Sequence, residues 1–228
     1  FRGDADQFRG ELIVGYQEGL IWSLLPRAIK KLAEQQPELR VSMKTTSLAT
    51  NFGSLEDGDI DVLITFRNDD SAPASCEVTT LCRPEVCAIM RKGHPLDSDA
   101  EAVSLDDLAR YPQIMNNEPD AFDLAYNAYQ RLGYSPEVVF SSNIAFGAYA
   151  LVGQSDAVSL RVVRTCSMVS PLGDALTYKR IAGDFFRPYL VAAKVTSRTP
   201  GIRNKRDAFI DVCHELMTSG EMRAHLYY

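Results

Sequence analysis

Residues 11–66 read ELIVGYQEGLIWSLLPRAIKKLAEQQPELRVSMKTTSLATNFGSLEDGDIDVLITF, and the succession of periods within them sets the fold class. ELIVGY (11–16) is apolar and β-branched enough for a buried strand. From Leu20 the period changes: Ile21, Leu24, Leu25, Ala28, Leu32 and Ala33 recur at three- and four-residue spacing and predict one apolar helix face. Pro26 fits only in the first turn, where backbone N–H groups lack an intrahelical partner anyway, and Ser23 is then a candidate N-cap. LRVSMKTTS predicts a second strand, 48–55 a short helix, and Gly58 in EDGD a sharp turn. IDVLITF (60–66) is a continuous apolar run, as in a strand covered on both faces. Strand, helix, strand, helix, strand within so short a span indicates parallel β with crossovers, hence the α/β class.

Working outward, EVCAIMRKGHPL predicts a strand, and SLDDLARYPQIMNN a capped short helix followed by a strand. Residues 122–132 predict a helix ending at Gly133, EVVFSSN a strand, 144–153 a helix, and AVSLRVV a strand running into a turn. ALTYKRI and YLVAAKV are two more strands, and a helix over 204–217 closes the pattern. The alternation is interrupted near residue 86 and resumes, so two βα lobes are expected.

Bulk properties narrow the function. A chain of 228 residues can bury a core without metal or disulfide staples, and no apolar run approaches the ~18 residues of a membrane span. Five cysteines (Cys76, Cys82, Cys87, Cys166, Cys213) without framework spacing favour reduced thiols in a cytoplasm. A formal charge of −6, with only short basic clusters such as RNKR (203–206), argues against strong nucleic-acid binding. The opening FRGDADQFRG lacks a starting Met and a signal pattern, so a longer gene product is expected to precede it.

A strand that runs into a helix N-terminus delivers N–H groups and the positive end of the helix dipole to one spot, which favours an anion or a carbonyl oxygen. Gln17, Glu18, Gly19 and Leu20 occupy that turn; the plainer reading is a βα loop that binds nothing, and the Glu18 charge repels an anion unless it faces solvent. Ligands of open α/β sheets gather beyond the carboxyl ends of strands. Those ends contribute Ser47, Thr65 to Arg67, Asn116, Asn117, Ser142, Asn143 and Ser159 to Arg161. Arg67 and Arg161 offer planar forks suited to a carboxylate, or each pairs with a local acid such as Asp69 or Asp156. Catalytic signals are poor. GQSDA (153–157) lacks the second glycine of a nucleophile elbow, Cys82 and Cys87 have no second ligand pair, and His94, His214 and His225 are dispersed. No enzyme activity, metal or cofactor is expected.

The landmarks RGELIVGY, LLPRAIKKLAEQQPELRV, LEDGDIDVLI, RKGHPL, SLDDLARYP, ALVGQSDAVSL and YLVAAKVTSRTP, in this order and spacing, resemble the effector-binding domain of LysR-type transcriptional regulators over nearly the whole chain. FSSNIAFGAYAL and PYLVAAK look similar to the branch that senses aromatic compounds. The resemblance implies two Rossmann-like lobes joined by two crossing strands, the type II periplasmic-binding-protein-like fold. Lobe I is then 11–85 with 189–228, and lobe II is 86–188. The family's winged helix-turn-helix is not in this sequence, so the chain is expected to sense rather than to read DNA. The resemblance places effector-lining positions at Gln17, Ser47, Phe66, Asn116, Ser142, Asn143 and Leu160, in a cleft between the lobes; many relatives carry proline where this chain has Leu160 or Arg161. It further implies a cytoplasmic regulator of a small organic or aromatic acid, dimeric through the helices at 20–36 and 144–153, and tetrameric when intact. A free-standing solute-binding protein is the alternative.

Overall fold

The structure is a computed structural model that describes residues 10–17, 24–47, 49–68, 72–142, 144–163, 175–183, 185–196 and 200–219. In chain order the elements begin β1 (Gly10–Tyr16), α1 (Leu24–Gln35), β2 (Leu39–Thr45), α2 (Asn51–Glu56), β3 (Val62–Arg67), β4 (Cys76–Cys82), β5 (Glu85–Arg91), β6 (Ala102–Val103) and α3 (Leu105–Leu108). They continue as β7 (Gln113–Met115), α4 (Pro119–Gln130), β8 (Val138–Ser141), α5 (Ala145–Gly153), β9 (Ser159–Val163), β10 (Leu176–Ile181), β11 (Tyr189–Val195) and α6 (Pro200–Thr218). Contacts divide the chain into unit 2, Pro84–Arg187, and unit 1, built from the segments on either side of it. No described helix is long and apolar enough to cross a membrane.

Unit 1 carries one sheet in the order β2-β1-β3-β11-β4. The first three strands are parallel, as the opening stretch predicts, while β11 runs antiparallel to both β3 and β4. On α1, Leu24, Leu25, Ala28 and Leu32 are buried against Phe209, Ile210 and Cys213 of α6. Ala33, expected on that face, is exposed. Ile21, Ser23, Gly19 and Leu20 lie outside the described residues. Gly58 adopts φ +80° in its turn. Gly15 answers a different need: a Cβ there would collide with the Cδ1 of Ile60, which is buried.

Unit 1 is pinned by an ion pair that the sequence conceals. Arg206 is 1 % exposed, and its Nη2 lies 3.3 Å from Asp61 Oδ1. The other Asp61 oxygen accepts the Ile13 N–H at 2.9 Å, and the Asp61 N–H donates to the Ile13 carbonyl at 2.7 Å. One carboxylate thus ties β1, the approach to β3, and α6.

Unit 2 carries a sheet ordered β6-β10-β5-β9 and a two-stranded pair β7-β8, linked by a parallel bridge from Gln113 to Val158. Ser104 caps α3 by accepting the Asp107 N–H at 3.0 Å. The expectation of reduced thiols fails at Cys87, which is disulfide-bonded, while Cys76, Cys82 and Cys213 carry thiols. Spacing along a chain does not report which Cβ vectors the fold brings within bonding reach.

The RKGHPL turn is a polar knot that holds β5 to the approach of β9. Arg91 pairs with Asp156 at 2.7 Å and donates to the Gly93 carbonyl. His94 is 2 % exposed: its Nδ1 accepts the Leu96 N–H at 3.1 Å and its Nε2 lies 3.2 Å from the Asp156 carbonyl. Those partners define a neutral imidazole with the proton on Nε2. Burial, partly opposed by the bond to Asp156, holds its pKa below the ordinary value. The unfolded chain takes up this proton near pH ~6.5 and the folded chain only at lower pH, so acidification from there favours unfolding. His94→Gln is therefore expected to flatten the loss of unit 2 stability between pH ~7.5 and ~5.5, read from urea midpoints.

Candidate functional site

Parallel strands β7 and β9 meet at one point and then part. The Ile114 N–H donates to the Val158 carbonyl at 2.9 Å, and the Val158 N–H to the Pro112 carbonyl at 2.9 Å. Beyond that pair the strands diverge, and a cavity of about 90 Å³ opens between Met115 and Asn116 on one side and Leu160 and Val162 on the other. The volume is several times the ~10–15 Å³ that one water needs on the same measure. Because the peptide groups of Val158 point toward β7, strand alternation turns those of Leu160 and Val162 the same way. The crevice therefore has backbone donors and acceptors along the β9 side and the Asn116 side chain opposite. It lies beyond the carboxyl end of β7, where that strand separates from parallel β9, and ligands of α/β sheets gather beyond strand carboxyl ends.

Helix α4 supplies the apolar wall: Ala121, Leu124 and Ala125, at helical spacing, join Val86 and Phe185. The N-terminus of α4 follows the Asn116 turn, in which Asn116 Oδ1 accepts the Glu118 N–H at 3.0 Å. Two buried polar groups fix this helix to β7. The Tyr129 hydroxyl donates to Gln113 Oε1 at 2.9 Å, and Gln113 Nε2 donates to the carbonyls of Leu108 and Tyr111, both at 2.8 Å. Burial pushes the Tyr129 phenol well above its ordinary pKa, so it stays protonated and able to donate. Tyr129→Phe leaves the buried Gln113 oxygen without that donor and is expected to cost about 1–3 kcal/mol, measured by denaturant unfolding.

The residues singled out from the sequence fall into three sets. Asn116, Leu160 and Arg161 line the crevice together. The Arg161 side chain, however, shares its sheet face with Ser159, Cys87 and Tyr149, opposite to Leu160. Its Nε donates to Ser159 Oγ at 3.1 Å and its guanidinium carbon lies 6.0 Å from the Tyr149 ring. The acid proposed to pair with it, Asp156, pairs with Arg91 instead. Ser142 does not line the crevice; it donates its N–H to the Met115 carbonyl at 3.1 Å and accepts the Ile144 N–H on Oγ at 3.0 Å, while Asn117 is exposed.

The second set belongs to unit 1, at the carboxyl ends of its parallel strands. Gln17 Oε1 accepts the Phe66 N–H at 3.0 Å, Ser47 Oγ lies 3.0 Å from Thr50 Oγ1, and the Arg67 guanidinium stacks 4.8 Å above the Phe52 ring. Beneath them, buried Asn51 donates to Thr65 Oγ1 at 3.0 Å. The third set, Glu18 and Asn143, lies outside the described residues, as does Asp69. Reading the strand ends missed Leu124, Ala125, Val86 and Phe185. The i, i+3, i+4 pattern of Ala121, Leu124 and Ala125 was available in the sequence, whereas Phe185 sits in an irregular segment without a period.

A family model described as the LysR substrate binding domain matches residues 5–217. No curated protein matches the chain at a significant level. Among solved structures, HinK, a LysR family transcriptional regulator from Pseudomonas aeruginosa, is similar at 22% identity and TM-score 0.76, covering 93% of this chain and 72% of its own. The effector binding domain of BenM with its effector benzoate gives 17% identity and TM-score 0.74, covering 93% and 94%. The effector binding domain of QuiR in complex with shikimate gives 13% and 0.73, covering 89% and 96%. At these identities the likeness is one of fold.

Proposed function

The chain belongs to the family of LysR substrate-binding domains, with the type II periplasmic-binding-protein-like fold, and is an effector-binding regulatory domain; from that premise we propose that its effector is a small organic acid held in the β7/β9 crevice of unit 2. The crevice carries this reading. The N–H groups of Leu160 and Val162, the Asn116 amide and the start of α4 form a donor end suited to a carboxylate. Met115, Leu124, Ala125 and Phe185 supply the apolar lining, suited to a hydrocarbon ring or chain. The benzoate of BenM and the shikimate of QuiR are acids of this kind. The polar groups of unit 1 serve its own loops first, Gln17 holding Phe66 and Arg67 lying on Phe52.

As part of a DNA-linked regulator the domain is proposed to act in the cytoplasm, DNA being met through a separate domain of the intact protein. Binding works as a switch only if the acid prefers one of two states of the regulator. A thermal-unfolding scan against benzoate, shikimate and short aliphatic acids tests the assignment. A ligand at 100 times its Kd should add roughly 2.7 kcal/mol to unit 2. A panel of acids that leaves the melting temperature unmoved contradicts it.

Unit 2 also exposes a run of large apolar side chains: Val139 and Phe140 on β8, Ile144 before α5, and Phe146 and Leu151 on α5. Such a patch is what a self-associating surface presents, and it is proposed as one half of a homodimer contact. The other half is assigned to α1, whose outward face carries Pro26, Lys30, Ala33 and Glu34. Tetramers are proposed for the intact regulator. Phe146→Glu is expected to shift the chain toward monomer in sedimentation velocity, with unit 2 still folded.

A further inference from the structure

A second cavity in unit 2, of about 340 Å³, shares Val86 and Phe185 with the crevice but differs in chemistry. Its polar wall is Glu85 at the start of β5, Arg180 near the end of β10, Arg187 and Glu101. Both guanidinium groups converge on Glu85, Arg187 at 3.8 Å and Arg180 at 3.9 Å, and Arg180 also faces Glu101 at 4.0 Å. These separations exceed the ~2.7–2.9 Å of a charge-assisted hydrogen bond. The four charges are thus gathered on one wall of the cavity. Glu85 is only 21 % exposed, so its charge is held in place between the two cations. The remaining wall is apolar: Ile181, Phe185 and Phe186.

We infer that this cavity is a second ligand site, for a free α-amino acid with an apolar side chain. Among the described lining residues two arginines and two glutamates balance, so this lining favours neither sign. A bare carboxylate would have to lie beside Glu85, and a bare amine beside Arg187. A zwitterion sets its carboxylate on the guanidinium side and its ammonium on the glutamate side, leaving its hydrocarbon for the two phenylalanines. Because Val86 and Phe185 line both cavities, occupancy of one changes the wall of the other, which gives the two ligands a route to coupling. The inference does not depend on the crevice holding an acid.

Calorimetric titration of the 228-residue chain with L-phenylalanine tests it, with 3-phenylpropionate and phenethylamine as probes that each keep one charge. Arg187→Gln and Glu101→Gln alter side chains that are 57 % and 88 % exposed, so both variants should fold as the parent does. Saturable binding of L-phenylalanine is expected, weakened about tenfold by either substitution and by loss of either charge from the probe. No saturable binding into the millimolar range overturns the assignment, as does binding that survives both substitutions. Binding lost in Ala125→Leu and kept in Arg187→Gln also overturns it, by placing the amino acid in the crevice.

Discussion

Arg206→Met is expected to destabilise unit 1 by about 3–5 kcal/mol, among the largest losses any single substitution in this chain should give. The guanidinium is 1 % exposed, and Asp61 is held by β1 through Ile13, so the carboxylate has nowhere to go when its cation is removed. What is lost is less the attraction of the pair than the compensation of a charge that stays half-buried. Nη1 also lies 3.5 Å from the Val195 carbonyl, so the truncation loosens α6 from β11 as well. Arg203→Met, on the same helix but 65 % exposed and 3.9 Å from Asp207, should stay within about 1 kcal/mol of the parent. Urea unfolding of the two variants decides the matter. Equal, small effects would mean that water replaces Arg206 at Asp61.

The second large effect is on binding. Ala125→Leu adds three carbons on the α4 wall of a cavity of about 90 Å³ and should fill the space proposed for the effector's hydrocarbon. A loss of effector affinity of about a hundredfold or more is expected, equivalent to ~2.7 kcal/mol. The unliganded chain should be no less stable, because the added methyls enter a cavity already present rather than a packed core. Asn116→Ala removes only one polar partner and should cost nearer tenfold. If Ala125→Leu lost stability and affinity together, α4 would have shifted and the experiment would speak of packing. Unchanged affinity with unchanged stability would move the effector elsewhere.

Periodicity carried much of the fold. The stripe Leu24, Leu25, Ala28 and Leu32 predicts α1, and IDVLITF predicts β3, because both are buried by neighbours whatever those neighbours are. Strand β4 was not legible: Cys76–Cys82 leaves its side chains largely or partly exposed apart from Leu81, so its sequence looks like a polar connection and only pairing with β11 makes it a strand. Arg206 was misleading for the opposite reason. RNKR looks like a solvated basic cluster, yet its last residue is buried by an acid 145 positions away. Long-range pairing leaves no local mark.

The candidate site was half legible. The rule that ligands sit at strand carboxyl ends led to Asn116, Leu160 and Arg161, because β7 ends there beside the first residues of parallel β9. It could not say which face each side chain takes. Strand alternation sends Leu160 toward α4 and Arg161 toward Tyr149, so the fork expected to grip a carboxylate bonds Ser159 instead. Apart from the Asn116 amide, the donors left for an acid are peptide N–H groups, which carry no residue-type signature.

The most direct test of the central claim is a methyl-labelled NMR titration of the chain with the acid that raises its melting temperature. Saturable shifts are expected at Val86, Met115, Leu124, Leu160 and Val162, with Ala125→Leu abolishing them. Saturable binding that leaves the methyl groups of those five residues unmoved would contradict it.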